Sequence, residues 1–160
     1  MSTFVIAEIG PNHNGSIDTA LMMVRRLAGS GANAIKFQLA QPDGAGSVIE
    51  MSRRLQLSWD AHRRLHAECA AIGIPYLCTA FDIGSLQFLD RELNVPRFKI
   101  ASGELLTIDM LEYMSLRKKP VILSTGMATL EEISDALAIL TGHGLADITL
   151  LHCVSNYPAP

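Results

Sequence analysis

The sequence predicts a parallel α/β domain, and three observations lead to that prediction. Short, nearly continuous apolar runs alternate with stretches whose apolar residues recur at helical spacing. No long linker interrupts the alternation, and polar residues follow nearly every run. Two sheet architectures fit this pattern, an open doubly wound sheet and a (β/α)8 barrel. The absence of a GxGxxG fingerprint weakens the first of them.

Six β-strands are predicted from the apolar runs, which have the character of parallel strands covered on both faces. The predicted strands are residues 4–9, 34–39, 75–78, 97–100, 121–123 and 148–151. The intervening helices have start signals at Ser16, Ser58, Asp82 and Thr129, the last with Glu132 as a capping box. The segment 40–57 is longer than a usual βα loop and is either a lid or a surface excursion.

Composition limits the functional classes. The 160 residues suffice for one domain, 49% of them are hydrophobic, and the formal net charge is -3. We therefore expect no nucleic-acid partner, because the basic stripe of such proteins is missing. We also expect no membrane span and no signal peptide. The three cysteines form no CxxC pair, which favours reduced thiols in a cytoplasmic protein.

Polar side chains gather where the predicted strands end. They are Glu8, Lys36, Gln38, Thr79, Lys99, Ser102, Glu104, Ser124 and Thr125. The C-terminal ends of parallel strands share one face, where barrel enzymes build their sites. A lysine at a buried strand end is costly without a negative partner, so Lys36 and Lys99 predict a bound anion such as phosphate or carboxylate. The glycines of SGE and STG would place backbone N–H groups beside that anion.

Several of these residues could instead have purely structural roles. Lys99 could pair with Glu104, and Glu8 could cap a helix or pair with a lysine. Ser124 and Thr125 could be helix caps. The histidines could also be structural: His13 as a loop residue, His152 as a core residue, and His62 with His66 as a pair on a helix surface.

Five segments, taken together and in order, resemble the sialic acid synthase family, which includes N-acetylneuraminate, legionaminate and pseudaminate synthases. The segments are AEIGPNHNGS, AIKFQ, FKIASGE, ILSTGM and LHCVSNYPAP, and the resemblance runs from residue 4 to residue 160. It implies a (β/α)8 TIM barrel, of which about the first six β/α units are present. It also implies a transferase that condenses phosphoenolpyruvate with an N-acyl amino sugar of the N-acetylmannosamine type, giving a sialic-type acid and phosphate.

The resemblance assigns roles to residues by motif. Positions that match phosphoenolpyruvate contacts are Lys36, Thr79, Lys99, Ser102 and Ser124, and positions that match sugar contacts are Gln38, Ser155 and Tyr157. Ser155 stands where many members have asparagine. Glu8 and Glu104 match the acidic, catalytic residues of the reacting centre, and the assignment of acid and base between them stays open.

The resemblance further implies a divalent metal (Mn or Mg), a homodimer and a C-terminal antifreeze-like domain. A closed barrel needs eight strands and typically about 250 residues. We therefore expect residues 1–160 to be a single partial barrel domain, with the metal ligands and the antifreeze-like domain outside this chain. Two other functions stay open, a non-catalytic anion-binding fragment and another phosphoenolpyruvate-aldose condensing enzyme.

Overall fold

The computed structural model describes residues 3–40 and 55–159 and contains one six-stranded parallel sheet. The strands are β1 (Ile6–Glu8), β2 (Ala34–Leu39), β3 (Tyr76–Ala80), β4 (Phe98–Ile100), β5 (Val121–Ser124) and β6 (Ile148–Leu151). The helices are α1 (Ile17–Leu27), α2 (Trp59–Ala71), α3 (Ile83–Arg91), α4 (Ile108–Arg117) and α5 (Leu130–Thr141), and a short 3-10 turn spans Ser102–Glu104.

Strand order decides between the open doubly wound sheet and the barrel. Each strand pairs in parallel with the next along the chain, in the order β1-β2-β3-β4-β5-β6. A doubly wound sheet would reverse direction at a switch point, whereas sequential pairing with constant twist curls the sheet into part of a barrel. The prediction of a TIM-barrel type with six β/α units is therefore confirmed.

The main core lies between the outer face of the sheet and the helices. On β2, Ile35, Phe37 and Leu39 are buried against the helices, while Lys36 and Gln38 point to the opposite, concave face. Because each pair of strands is parallel and in register, side chains opposite one another share a face. The concave face therefore collects the polar side chains that alternate with the core residues.

The predicted helix starts are confirmed by their hydrogen bonds. Ser16 Oγ accepts from Thr19 N at 3.2 Å, and Asp82 Oδ1 accepts from Ser85 N at 2.7 Å. Ser58 caps α2 in the same way. Thr129 forms the predicted capping box with Glu132 before α5.

Several strand ends differ from the prediction. β3 continues to Ala80 because Thr79 and Ala80 pair with Gln38 and Leu39, and β5 includes Ser124. β1 is shorter than predicted, since the N–H of Val5 is taken by the Asn33 side chain at 2.7 Å.

Two structural predictions for histidines are wrong. His62 is fully buried instead of lying on a helix surface, and His152 is exposed instead of buried in the core. Most of the predicted lid or surface excursion, residues 41–54, lies outside the described residues. Among the helices of the described part of the chain, none has the length and apolarity needed to cross a membrane.

Candidate active site

The strand register brings the predicted site residues to one end of the concave face. Glu8 is paired with Lys36 across β1 and β2, and Gln38 is paired with Thr79 across β2 and β3. Thr79 is in turn paired with Lys99 on β4. Four neighbouring strands thus present their polar side chains side by side.

Lys36 is the centre of the first group of contacts. Its Nζ lies 2.7 Å from Glu8 Oε2 and donates to Thr79 Oγ1 at 3.1 Å. The pairing of Glu8 with a lysine, one of the structural roles considered from the sequence, is therefore present. Partial burial raises the pKa of the Glu8 carboxyl above its ordinary value, against the opposing attraction of Lys36 and then Lys99. A carboxyl group in this state can exchange a proton closer to neutral pH than an ordinary glutamate.

Lys99 is the second cation of the site and is only 7% exposed. Its Nζ donates to Ser124 Oγ at 2.6 Å and to the carbonyl oxygen of Ile100. Burial, with the charge of Lys36 as the next cause, lowers the pKa of Lys99 to about 8. Within residues 3–40 and 55–159, no carboxylate forms a direct ion pair with Lys99, and the atoms that bond its Nζ are neutral oxygens. The Glu8 carboxylate attracts the ammonium group without contacting it.

The competing structural roles at this end of the sheet are wrong in three cases. Glu104 does not pair with Lys99 and instead accepts a hydrogen bond from Thr107 Oγ1 at 2.7 Å. Ser124 binds Lys99, and Thr125 Oγ1 donates to the Leu151 carbonyl at 2.9 Å. Neither residue caps α5, since Thr129 does.

A third group joins the loops that follow β4, β5 and β6. The N–H of Gly126 donates to Ser102 Oγ at 2.9 Å. A Cβ atom at Gly126 would collide with Ser155 Oγ and would lie 2.9 Å from Ser102 Oγ and 3.2 Å from Ser155 N. The sequence identified both serines but missed Gly126 as the point where the three loops meet. The signal for it was the STG turn, which was interpreted only as an anion cradle.

The remaining predicted residues lie at the rim. Gln38 is exposed on the concave face, Glu104 is half-buried, and Tyr157 is 92% exposed. Tyr157 therefore packs against little of the described chain. Direct contacts instead connect Lys36 with Glu8 and Thr79, and Lys99 with Ser124.

The site suits a small polyanion better than it suits a metal ion. The two ammonium groups and the hydroxyl groups of Thr79 and Ser124 are donors that stabilise negative charge. In the described ranges, no group of three or more His, Cys, Asp or Glu side chains could hold a metal ion. The divalent metal implied by the resemblance therefore does not fit the residues described, and we assign it no step.

Comparison with known proteins gives the family. The NeuB family matches residues 23–160. The chain is 41% identical to an uncharacterized protein of Methanocaldococcus jannaschii over 99% of its own length and 48% of the relative's length. It is 37% identical to the N,N'-diacetyllegionaminic acid synthase of Campylobacter jejuni, over 99% of this chain and 53% of that one.

The fold comparison agrees with the sequence comparison. The crystal structure of an N-acetylneuraminic acid synthetase from Leptospira borgpetersenii, in complex with citrate, matches with a TM-score of 0.91 and 33% identity. The match covers all of this chain and 57% of that one. The chain thus spans about half the length of the relatives it matches. The resemblance drawn from the five segments is confirmed, and the chain belongs to the NeuB family.

Proposed function

We propose that this chain is the phosphoenolpyruvate-binding part of a sugar-acid synthase that acts on an N-acyl amino sugar. The observation that carries the proposal is Lys99, a buried ammonium group that has no carboxylate partner in the described part of the chain and lies beside Lys36. A buried charge without a counter-ion is costly, and a bound anion removes that cost. The named synthases among the relatives support this class of reaction.

The proposed reaction forms one carbon–carbon bond and breaks one phosphate ester. C3 of phosphoenolpyruvate attacks the aldehyde carbon of the open-chain sugar, water adds at C2, and inorganic phosphate leaves. Lys36 and Lys99 hold the phosphate and carboxylate groups, so negative charge meets donors that are already in place. The neutral oxygens around Lys99 orient its ammonium group before the anion arrives.

Glu8 is the better candidate for proton transfer at the reacting centre. Its carboxylate touches Lys36, and its pKa is raised by partial burial. Glu104 accepts a hydrogen bond from Thr107, which suits a residue that shapes the loop after β4. The sugar contacts of Gln38, Ser155 and Tyr157, the divalent metal and the homodimer belong to the proposal for the whole protein.

Titration calorimetry with phosphoenolpyruvate tests the proposal on the purified 160-residue chain. We expect saturable binding at pH 7.5, with pyruvate and sulfate binding much more weakly, because each supplies only one of the two anionic groups. Equal affinity for all three anions would show general charge attraction and contradict a phosphoenolpyruvate site. No binding to the folded chain would contradict the proposal outright.

The affinity for phosphoenolpyruvate is expected to fall as the pH rises through 8. The reason is that only the protonated form of Lys99, whose pKa is about 8, attracts the anion. The ligand itself is already ionised in this range. Relative to pH 7, the affinity should drop about twofold at pH 8 and about tenfold at pH 9. Calorimetry between pH 7 and pH 9.5 measures this; a flat profile would show that Lys99 does not contact the ligand.

A further inference from the structure

The two oxygens of the Glu8 carboxylate have different surroundings. Oε2 lies 2.7 Å from Lys36 Nζ, whereas no donor within the described ranges is hydrogen-bonded to Oε1. The Glu8 side chain is 43% exposed, so a ligand can reach it. Oε1 is therefore the oxygen that is left to give or take a proton, and its usefulness depends on a fixed orientation of the carboxylate.

Gly10 is the residue on which the Glu8 side chain rests. Gly10 is buried, and a Cβ atom built there would have three Glu8 atoms as its nearest neighbours outside residues 9 and 11. They are Oε1 at 3.0 Å, Cγ at 3.7 Å and Cδ at 3.8 Å. The distance to Oε1 is shorter than an ordinary van der Waals contact. The carboxylate thus occupies the space that a side chain at position 10 would need.

The backbone turn at Gly10 brings the loop under the Glu8 side chain. The φ of Gly10 is 50°, in the left-handed region that favours glycine. The N–H groups of Ile9 and Gly10 both donate to the Lys36 carbonyl, at 2.9 and 3.3 Å. Lys36 therefore holds the turn with its carbonyl oxygen and the Glu8 carboxylate with its ammonium group.

The rest of the loop between β1 and α1 is held by its own backbone. Three hydrogen bonds of 3.0 Å close successive turns along it. The donor and acceptor residues are Asn12 and Ile9, Asn14 and Pro11, and Ser16 and His13. The end of a glutamate side chain moves more easily than such a backbone. A methyl group added at Gly10 would therefore displace the carboxylate of Glu8 and not the loop.

We propose that Gly10 is a positioning residue: because it has no side chain, the Glu8 carboxylate folds back onto the loop, where Lys36 holds Oε2 and Oε1 stays free for the proton. A residue with a Cβ atom would push the carboxylate off the loop and lengthen its contact with Lys36. The role of Glu8 in proton transfer rests on the proposed function, whereas the placement of its carboxylate by Gly10 does not.

Titration of Glu8 by carbon-13 NMR tests the placement without any ligand, with the signal assigned by its loss in Glu8→Gln. Burial raises the pKa of Glu8, and the attraction of Lys36, followed by that of Lys99, opposes the rise. In Gly10→Ala we expect this pKa to rise further, by about half a pH unit, because the attraction of Lys36 weakens with distance.

Gly73→Ala is the matched control for backbone strain. Gly73 also has a positive φ, 75°, but nothing lies within 4 Å of a Cβ atom at that position. The variant therefore introduces the strain without the contact with Glu8, and the pKa of Glu8 should keep its wild-type value. An unchanged pKa in Gly10→Ala would overturn the proposal, and so would an equal change in the two alanine variants.

The double variant Glu8→Ala/Gly10→Ala decides the question if Gly10→Ala does not fold. Without the Glu8 side chain, the new Cβ atom no longer meets the three atoms nearest to it, and only the strain is left. Thermal unfolding should show that Gly10→Ala lowers the Tm less in the Glu8→Ala background than in the wild type. An equal loss in both backgrounds, or a double variant that also fails to fold, would contradict the proposal.

Calorimetry with phosphoenolpyruvate at pH 7.5 separates this proposal from the proposed function. If none of the folded proteins binds phosphoenolpyruvate, the proposed function fails while the NMR titration still decides the role of Gly10. If the wild type binds and the pKa of Glu8 is the same in Gly10→Ala, the positioning role fails and the proposed function stands.

Discussion

Replacing Lys99 with methionine is expected to weaken phosphoenolpyruvate binding about 100-fold. Methionine keeps the apolar stem of the side chain but removes the ammonium group that donates to Ser124 and faces the ligand. A charge-assisted contact contributes about 1.5–3 kcal/mol, and 2.7 kcal/mol corresponds to about 100-fold in affinity. Titration calorimetry at pH 7.5 measures the loss.

The matched control is Arg26→Met in the exposed last turn of α1. It changes the net charge of the chain by the same amount but removes no group from the site. Its affinity should stay within about twofold of the wild type, because exposed charges at a distance are screened by salt. Equal weakening by both variants would mean that the ligand responds to overall charge.

Stability should move in the opposite direction from binding in Lys99→Met. The wild-type chain buries an ammonium group without a counter-ion, and removing such a group relieves a desolvation cost. We therefore expect Lys99→Met to unfold at the same or a higher temperature than the wild type. A variant that loses binding without losing stability identifies Lys99 as a functional residue.

The sequence was sufficient for the fold because the outer face of each strand is continuously apolar. β2 was predicted to the residue, since its apolar run is bounded by glycines and Asn33 before it and a polar segment after it. β3 was predicted two residues short because Thr79 is polar. In a partial barrel, a polar side chain can continue a strand when it points to the concave face, which is where the register places Thr79.

The contacts of the site were less accessible to sequence reasoning because they depend on which loops meet in three dimensions. The two lysines could be found, since a cation at a buried strand end is unusual for its position. Lys99 donates its hydrogen bond to Ser124 and not to Glu104 because β4 pairs with β5. His62 was misjudged because HRRLH has helical spacing but does not reveal that His62 is fully buried and hydrogen-bonded to the Tyr76 hydroxyl.

Replacing Gly126 with alanine is expected to destabilise the chain by about 1–3 kcal/mol and to weaken phosphoenolpyruvate binding. The φ of Gly126 lies outside the left-handed region, so the cost is steric: the new Cβ would collide with Ser155 Oγ and press on Ser102 Oγ at 2.9 Å.

Gly103→Ala is the matched control, because nothing lies within 4 Å of a Cβ at that position. Thermal unfolding should show a small change for Gly103→Ala and a partial recovery when Ser155→Gly is added to Gly126→Ala. Equal destabilisation by the two alanines would show that the contact between the loops after β4, β5 and β6 does not determine the cost. The recovery would instead show that Gly126 lets three successive strand ends close around one site.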